Sequence, residues 1–500
     1  MNFRTCHRGL LGVFLGVAWV ALVGASFHAI AAEPPRSSVI TLDQYLNEVK
    51  TGNKGVVGSL KSAEAGGLRS DEGKLLLSPV LYSDAKYTSD GKIPPFSFLI
   101  YDTAVSELLS VGVSQLTTFG LQGKLHYDLF STNYNNASSP FFPLPSSFVF
   151  SYANASPVLE LTQSLWSNGF GRTTRATQTQ LEAQALASSY AASYEAKAGM
   201  SEAEVNYWRL AAARQTISVE KEALNRAQKI LEWNTRRAQL HLGDEADVLQ
   251  ADALVKSREL DLMSAQNEER SASLAFNTSR NIDSDQVSEQ LADLDPEVIE
   301  KVRTPARAGV RDDVKAAEQS SKASVAQSLV ATEQDSPTLN LNASVALNGQ
   351  QGSGGTYYGT LSQSIPASFT MNRPTYNIEL VFNAPLDFGV VSRSKQGWNL
   401  EHVAADLKYD RKLFEQEQNW KDLSQSLQEA KQRFGLARKL EFIQKSKLNN
   451  EKDRLKHGRT TTYQVLLFEQ DYLQAQLLRI QNQVAVLKII AQMKLFGENV

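Results

Sequence analysis

The stretch from Arg172 to Phe276 constrains the rest of the chain, because it reads as one helix of unusual length, a Gly-marked reversal and a returning helix. Ala196, Ala203, Leu210, Ile217, Leu224, Leu231 and Ala238 recur every seven residues, the seam of a helix wrapped against neighbours in a coiled-coil manner. Beyond the reversal, Val248, Leu249, Ala253 and Leu260 resume a helical stripe. At Leu242-Gly243-Asp244-Glu245 the glycine is expected to take the left-handed cap conformation, and the acids sit at the next helix's N-terminus. About 70 residues of unbroken helix run roughly 100 Å, more than a compact domain needs.

The N-terminus supplies an address. Arg4 and Arg8 precede an apolar run from Gly9 to Val23, and Ala29-Ile30-Ala31 offers a small-residue cleavage site, so residues 1–31 read as a secretory leader. Its removal takes two arginines and no acids, shifting the formal charge from -3 to -5 and leaving no basic footprint for nucleic acid. The single cysteine, Cys6, leaves with it. A thiol-free mature chain excludes disulfides, thiolate metal sites and a cysteine nucleophile. No later stretch reaches the ~18 apolar residues of a membrane helix, so any membrane crossing must use strands.

Walking the chain finds the same order twice. Thr41 N-caps a helical stretch through Leu77, Ser78-Pro79 ends it, and Leu81, Ser83, Ala85 and Tyr87 alternate with polar residues as a strand. Val111–Leu116 and Leu121–Leu129 alternate around Thr117–Gly120 and suggest an additional hairpin, while 96–109 is ambiguous and 131–151 reads as an aromatic loop. Val158–Trp166 is a further strand that hands over to the long hairpin. In the second half, 311–333 is helical, 339–345 and 377–382 are strands, and a long helix from about Ser394 reverses at His457-Gly458-Arg459-Thr460. Leu466, Leu473, Ile480 and Leu487 mark the returning seam. The reading is therefore residues 32–280 as a first repeat, 281–307 as a polar equatorial connector and 308–500 as a second repeat.

Two strands per repeat cannot close on themselves. A sheet in hydrocarbon must close, because each unsatisfied backbone group costs several kcal/mol, and about eight strands is the practical minimum. Several chains must share one barrel. The returning helices cover only half of their partners, and the N-terminal helices of each repeat are placed to cover the rest.

At this point the residues resemble the TolC-like outer-membrane efflux proteins. The resemblance is carried by Ile40-Thr41-Leu42-Asp43, Leu161-Thr162-Gln163-Ser164-Leu165, Arg311-Asp312-Asp313-Val314, Ala384-Pro385-Leu386, and the two Gly tips leading to Asp247-Val248-Leu249 and Gln464-Val465-Leu466. It implies an α+β membrane protein with an internal two-fold repeat. A trimeric, shared twelve-stranded barrel in the outer membrane would be continuous with a long periplasmic α-helical barrel of coiled-coil hairpins. The implied role is the passive exit duct of a tripartite efflux or type I secretion system, a homotrimer in outer-membrane lipid. Its implied partners are a periplasmic adaptor (membrane fusion protein) and an inner-membrane transporter, with no cofactor, metal or nucleic acid. Adaptor docking falls on Leu242, Gly243, Asp244, Gly458, Arg459 and Thr460. The prototype's constricting aspartates correspond here to Gln464 and Leu467, so Asp247, Gln464, Leu467 and Glu469 are the constriction candidates.

Other chemistry finds no support. The six histidines show no metal spacing, Asp244, Glu245 and Asp247 read as helix caps, and the Gly349–Gly355 run opens no helix as a phosphate loop requires. No nucleophile stands on a strand-to-helix elbow, so an enzyme is not expected. The competing reading from a different class is a structural periplasmic coiled-coil rod.

Overall fold

The computed structural model describes residues 39–92, 100–141, 150–291, 297, 299, 305–350 and 360–497; the expected leader and most of the Gly349–Gly355 run lie outside them. A two-residue strand β1 (Val39–Ile40) precedes helices α1 (Leu42–Gly52) and α2 (Lys54–Arg69), which divide at Asn53. The Asn53 side chain accepts from the Gly55 and Val56 amides and so starts α2. A 3-10 turn over Ser70–Leu77 leads to β2 (Val80–Asp90), β3 (Thr103–Leu116), β4 (Leu121–Asn135) and β5 (Phe150–Ser164). Helices α3 (Arg172–Gln239) and α4 (Glu245–Ser279) follow, then β6 (Gln290–Leu291), which pairs in parallel with β1. The second half runs α5 (Asp312–Gln334), β7 (Thr338–Leu347), a short α6 (Leu361–Ala367), β8 (Pro374–Asn383), α7 (Phe388–Lys456) and α8 (Thr462–Met493). Helix α7 begins ahead of the expected Ser394 because the Asp387 carboxylate caps it, accepting from the Val390 amide at 3.0 Å. No helix among the described residues is long and apolar enough to cross a membrane.

One correction is large. The twelve-stranded expectation counted the four certain strands per chain and left open whether residues 96–151 add strands or form a loop; they add strands, and β2-β3-β4-β5-β7-β8 form a single six-stranded antiparallel sheet. The hairpin suggested around Thr117–Gly120 is there, but both strands run farther than their patterns indicate. Glu107 and Leu108 stand out of phase with Val105, Leu109, Val111 and Val113, which hid the first half of β3. The hairpin turn is fixed to the start of α3 and to β5. Arg175 Nη1 donates to Thr118 O at 3.1 Å, Gln163 Nε2 donates to Phe119 O at 3.2 Å, and Gly120 (φ 77°) packs against Gly171 (φ 77°) so closely that a Cβ at Gly120 would lie 2.9 Å from the Gly171 amide.

The ladder register puts one parity on each face. Leu81, Val113, Leu125, Leu159, Leu161, Leu341, Ala343, Ile378 and Leu380 share one face, and Asp84, Ser110, Lys124, Asp128, Glu160, Asn342 and Glu379 the other. The apolar face is uncovered over most of its area: Leu125 is 60%, Leu380 62% and Ile378 78% exposed. Aromatic residues rim it, with Trp166, Phe382 and Phe388 exposed at the helix-proximal end and Tyr87 and Tyr376 toward the far end.

Below the sheet the helices lie side by side, four wide at every level. Near the sheet the neighbours run α2, α3, α5, α7; farther down they run α4, α3, α8, α7. The short N-terminal helices thus fill the gaps the returning helices leave. At the changeover an aromatic core forms, where Tyr45 stacks on Phe276 at 4.1 Å and Tyr207 donates to Ile40 O at 2.9 Å. Burial pushes the Tyr45 phenol up to about 12. Beside it, Asp312 at the start of α5 accepts from Lys197 and Ser193 of α3, both at 2.9 Å.

Burial alone would raise the Asp312 carboxyl, but the donors from Lys197, Ser193 and Lys315 outweigh it and hold the group below the ordinary aspartate range. A depressed carboxyl contributes stability that is complete above its unfolded value, about 4, and is lost as pH falls through the lower folded value. Acid titration followed by amide exchange is expected to loosen the α3–α5 contact only below about pH 4, and Asp312→Asn is expected to remove that acid step while weakening the contact at neutral pH.

Candidate functional site at the helical tips

Each long helix ends in the same device. At the first tip the Leu242 amide donates to Arg237 O and the His241 amide to Ala238 O; at the second, Arg459 donates to Arg454 O and Gly458 to Leu455 O. This is the Schellman arrangement, which needs a left-handed residue just past the helix. Gly458 supplies it at φ 70°, but at the first tip it is His241 at φ 57°, not the expected Gly243. Gly243 relieves crowding instead: a Cβ there would lie 3.1 Å from Arg237 Cβ and 3.3 Å from the Ala238 amide. Asp244 then caps α4 through the Ala246 amide, and Thr461 caps α8 through the Gln464 amide. The expected docking residues Leu242, Gly243, Asp244, Gly458 and Arg459 are exposed, and Thr460 is half-buried, donating its hydroxyl to Glu451.

The two tips are fastened together just above the turns. Asn234 of α3, buried, donates to Asp247 O of α4 at 3.2 Å and accepts from Thr462 Oγ1 of α8 at 3.1 Å. Two turns higher, Glu469 of α8 is 1% exposed and accepts from Arg226 of α3 and from Lys452 of α7, the latter at 3.1 Å. The Arg226 guanidinium also lies 5.4 Å from the Tyr472 ring centre. Of the four constriction candidates, Asp247 and Gln464 are half-buried, Leu467 is exposed, and Glu469 alone is enclosed with its charge already matched. Between these contacts and the turns lies a cavity of about 290 Å³ with apolar walls from Ile230, Trp233, Leu455 and Val465 and a basic rim from Arg226, Lys229, Lys452 and Lys456.

Asn234, Arg226, Lys452 and Thr462 were not singled out from the sequence. The available signal was Glu469 itself. It falls three residues after Leu466 in the apolar seam, a position that Gln476 and Gln483 repeat, and all three are buried. A charge in a buried stripe requires a partner.

Glu469→Ala is expected to leave the Arg226 and Lys452 cations without their shared anion, costing about 2 kcal/mol. Amide exchange should rise in the last turns of α3 and the first turns of α8 while the sheet is unchanged; Glu469→Asp should restore part of the protection.

No family model matches this chain, and no curated protein matches it. Solved structures do. The outer-membrane channel OprN aligns at 16% identity over 91% of this chain and 89% of its own, with a TM-score of 0.62. The outer membrane protein VceC from Vibrio cholerae aligns at 14% identity over 91% and 96%, TM-score 0.59. The open-state MtrE outer membrane channel of Neisseria gonorrhoeae aligns at 16% identity over 90% and 88%, TM-score 0.58. In fold, this chain is similar to the TolC-like outer-membrane channels along nearly its whole length.

Proposed function

We propose that the protein is the outer-membrane exit duct of a tripartite export system, a homotrimer that conducts substrate passively from an inner-membrane transporter and its periplasmic adaptor to the exterior. One observation carries the reading. The sheet presents a wide apolar face to its surroundings, rimmed by aromatics, and a charged face on its other side. Monomeric soluble proteins rarely expose such a patch, and a barrel wall in lipid has this alternation, with its aromatic girdles. A soluble coiled-coil rod has no use for it. The four-wide helical layer, about 100 Å from Arg172 to the tips at 1.5 Å per residue, is of the length a periplasmic tunnel needs, and the repeated order of elements fits an internal two-fold repeat.

The tips lie at the end farthest from the sheet, so an adaptor reaching the tunnel from the inner membrane meets them first. Exposed Leu242, Arg459 and the apolar cavity around Trp233 and Leu455 offer contact there. Neither Gln464 nor Leu467 is acidic, and Glu469 is enclosed, so a cation-binding acidic ring is not part of this reading.

Two outcomes test it. In mild detergent the outer-membrane fraction is expected to yield a trimer whose gel migration changes on heating; a monodisperse folded monomer by light scattering would contradict it. Gly243→Val with Gly458→Val should distort the hairpin ends, since the first crowds Arg237 and the second places a β-branched side chain at positive φ for roughly 1–2 kcal/mol. The expected phenotype is a normal outer-membrane trimer with lost export and weak adaptor cross-linking; export at the wild-type rate would remove the tips as the docking surface.

A further inference from the structure

The sheet is wider than the four strands that the fold resemblance leads one to expect, and the extra hairpin is not an appendage. Strands β3 and β4 lie in the interior of the ladder, between β2 and β5, with continuous pairing on both sides. Over the helix-proximal halves their face alternation is in phase with the rest: Lys124, His126 and Asp128 stand on the charged side with Glu160, and Leu125 and Leu129 on the apolar side with Leu159; farther out Glu107 and Ser131 fall on the apolar side and Leu108 and Phe130 on the charged side. His126 Nδ1 lies 2.7 Å from Asp128, and Ser110 donates to the same carboxylate at 2.6 Å, so polar groups of β3 and β4 are matched on one face. The connecting turn is seated on the first turn of α3 by Arg175 and the Gly120–Gly171 approach.

Among the described residues the sheet's outer margins are one edge of β2 and one edge of β8; inside the sheet β5 parts from β7 beyond Val158, where Gly349 N donates to Ala155 O and Ser364 Oγ to Ala153 O. The six strands alternate in direction, β2 leading away from the helices and β8 back toward them, and the two edges have nearly equal lengths, 11 and 10 residues. An edge of β8 therefore meets the edge of a second copy's β2 in the antiparallel sense. Girth points the same way. Strands ~4.8 Å apart and tilted ~40° occupy about 6 Å of circumference each, so six span roughly 38 Å. Four helices at 8–10 Å spacing span roughly 32–40 Å. Four strands would span only about 25 Å.

We infer that three copies of this chain close an eighteen-stranded barrel, β8 of each pairing with β2 of the next. Its girth matches that of the helical tunnel beneath it. The inference rests on the exit-duct reading. Its consequence is an outer mouth about one and a half times the diameter of a twelve-stranded one, since diameter grows roughly linearly with strand number. The face that lines this mouth is charged and hydroxylic near the helices and carries Leu108, Phe130 and Tyr152 toward its outer end.

The mature chain carries no cysteine, so single spin labels can be placed at will. The trimer, reconstituted in lipid, is labelled at Gln122, Lys124, Leu125 or Leu129 on β4 and at Leu341 or Asn342 on β7, and collision with oxygen is compared with collision with a water-soluble nickel complex. The expected result is that Leu125 and Leu129 favour oxygen over nickel by at least roughly fivefold relative to Gln122 and Lys124, the same contrast as Leu341 against Asn342. Strand β7 alternating while both faces of β4 are water-accessible would overturn the inference and leave the duct intact. Loss of alternation on β7 as well would overturn both. A chain count by native mass measurement is expected to give three; any other number excludes eighteen strands.

Discussion

The rest of the structure depends on a backbone hydrogen-bonding requirement. Strands β2 and β8 each leave a row of N–H and C=O groups unpaired along the sheet's margins. In water such an edge is a hazard that proteins blunt with charge or cover; in hydrocarbon it costs several kcal/mol for every unsatisfied group. Nothing in the described residues covers these edges. With Leu81 on one margin strand and Ile378 and Leu380 on the other exposed to the same side, the sheet is built neither to stay open nor to sit in water. In the proposed assembly, closure by further copies resolves both problems in one step, because the edge that needs a partner lies between an apolar face and a charged one.

The helical half answers a second constraint, constant width. A long helix paired with a returning helix of half its length cannot make a uniform wall alone. Helices α2 and α5 fill the missing places next to α3 and α7, and the changeover is held by the Tyr45–Phe276–Tyr207 core and the Asp312–Lys197 pair. At the opposite end, polar fastening is added to an apolar cluster that includes Ile230, Leu448, Val465 and Leu466. Asn234 joins three helices through two hydrogen bonds, and Glu469 joins three through two cations. Buried polar contacts fix register at some cost in stability, which suits tips proposed to hold one arrangement for a partner.

Much of this was legible from sequence. The heptads of α3 and α8, the caps at Thr41 and Asp244, the strands β2, β7 and β8 and the placement of both tips followed from periodicity and turn chemistry. The strand count did not, for a local reason: Glu107 and Leu108 sit on the wrong faces of β3, and β4 ends in Ser131–Asn135, whose polarity on both faces imitates a loop. The left-handed residue of the first tip was hidden because Gly243, two positions later, offered the more obvious candidate; His241 takes the conformation because the Schellman bonds fix the position, not the residue type. Contacts between distant elements, such as Asn234 with Thr462, leave no periodic trace at all. Glu469 was visible as a charge in an apolar seam, but its partners were not.

Closure of the sheet requires that its margins be paired in the assembled protein. Hydrogen–deuterium exchange of the trimer in lipid, read strand by strand, addresses it directly. Backbone amides of β2 and β8 are expected to exchange as slowly as those of interior β4, along both margins. Fast exchange along β2 or β8, with β4 protected, would mean an open sheet and contradict it.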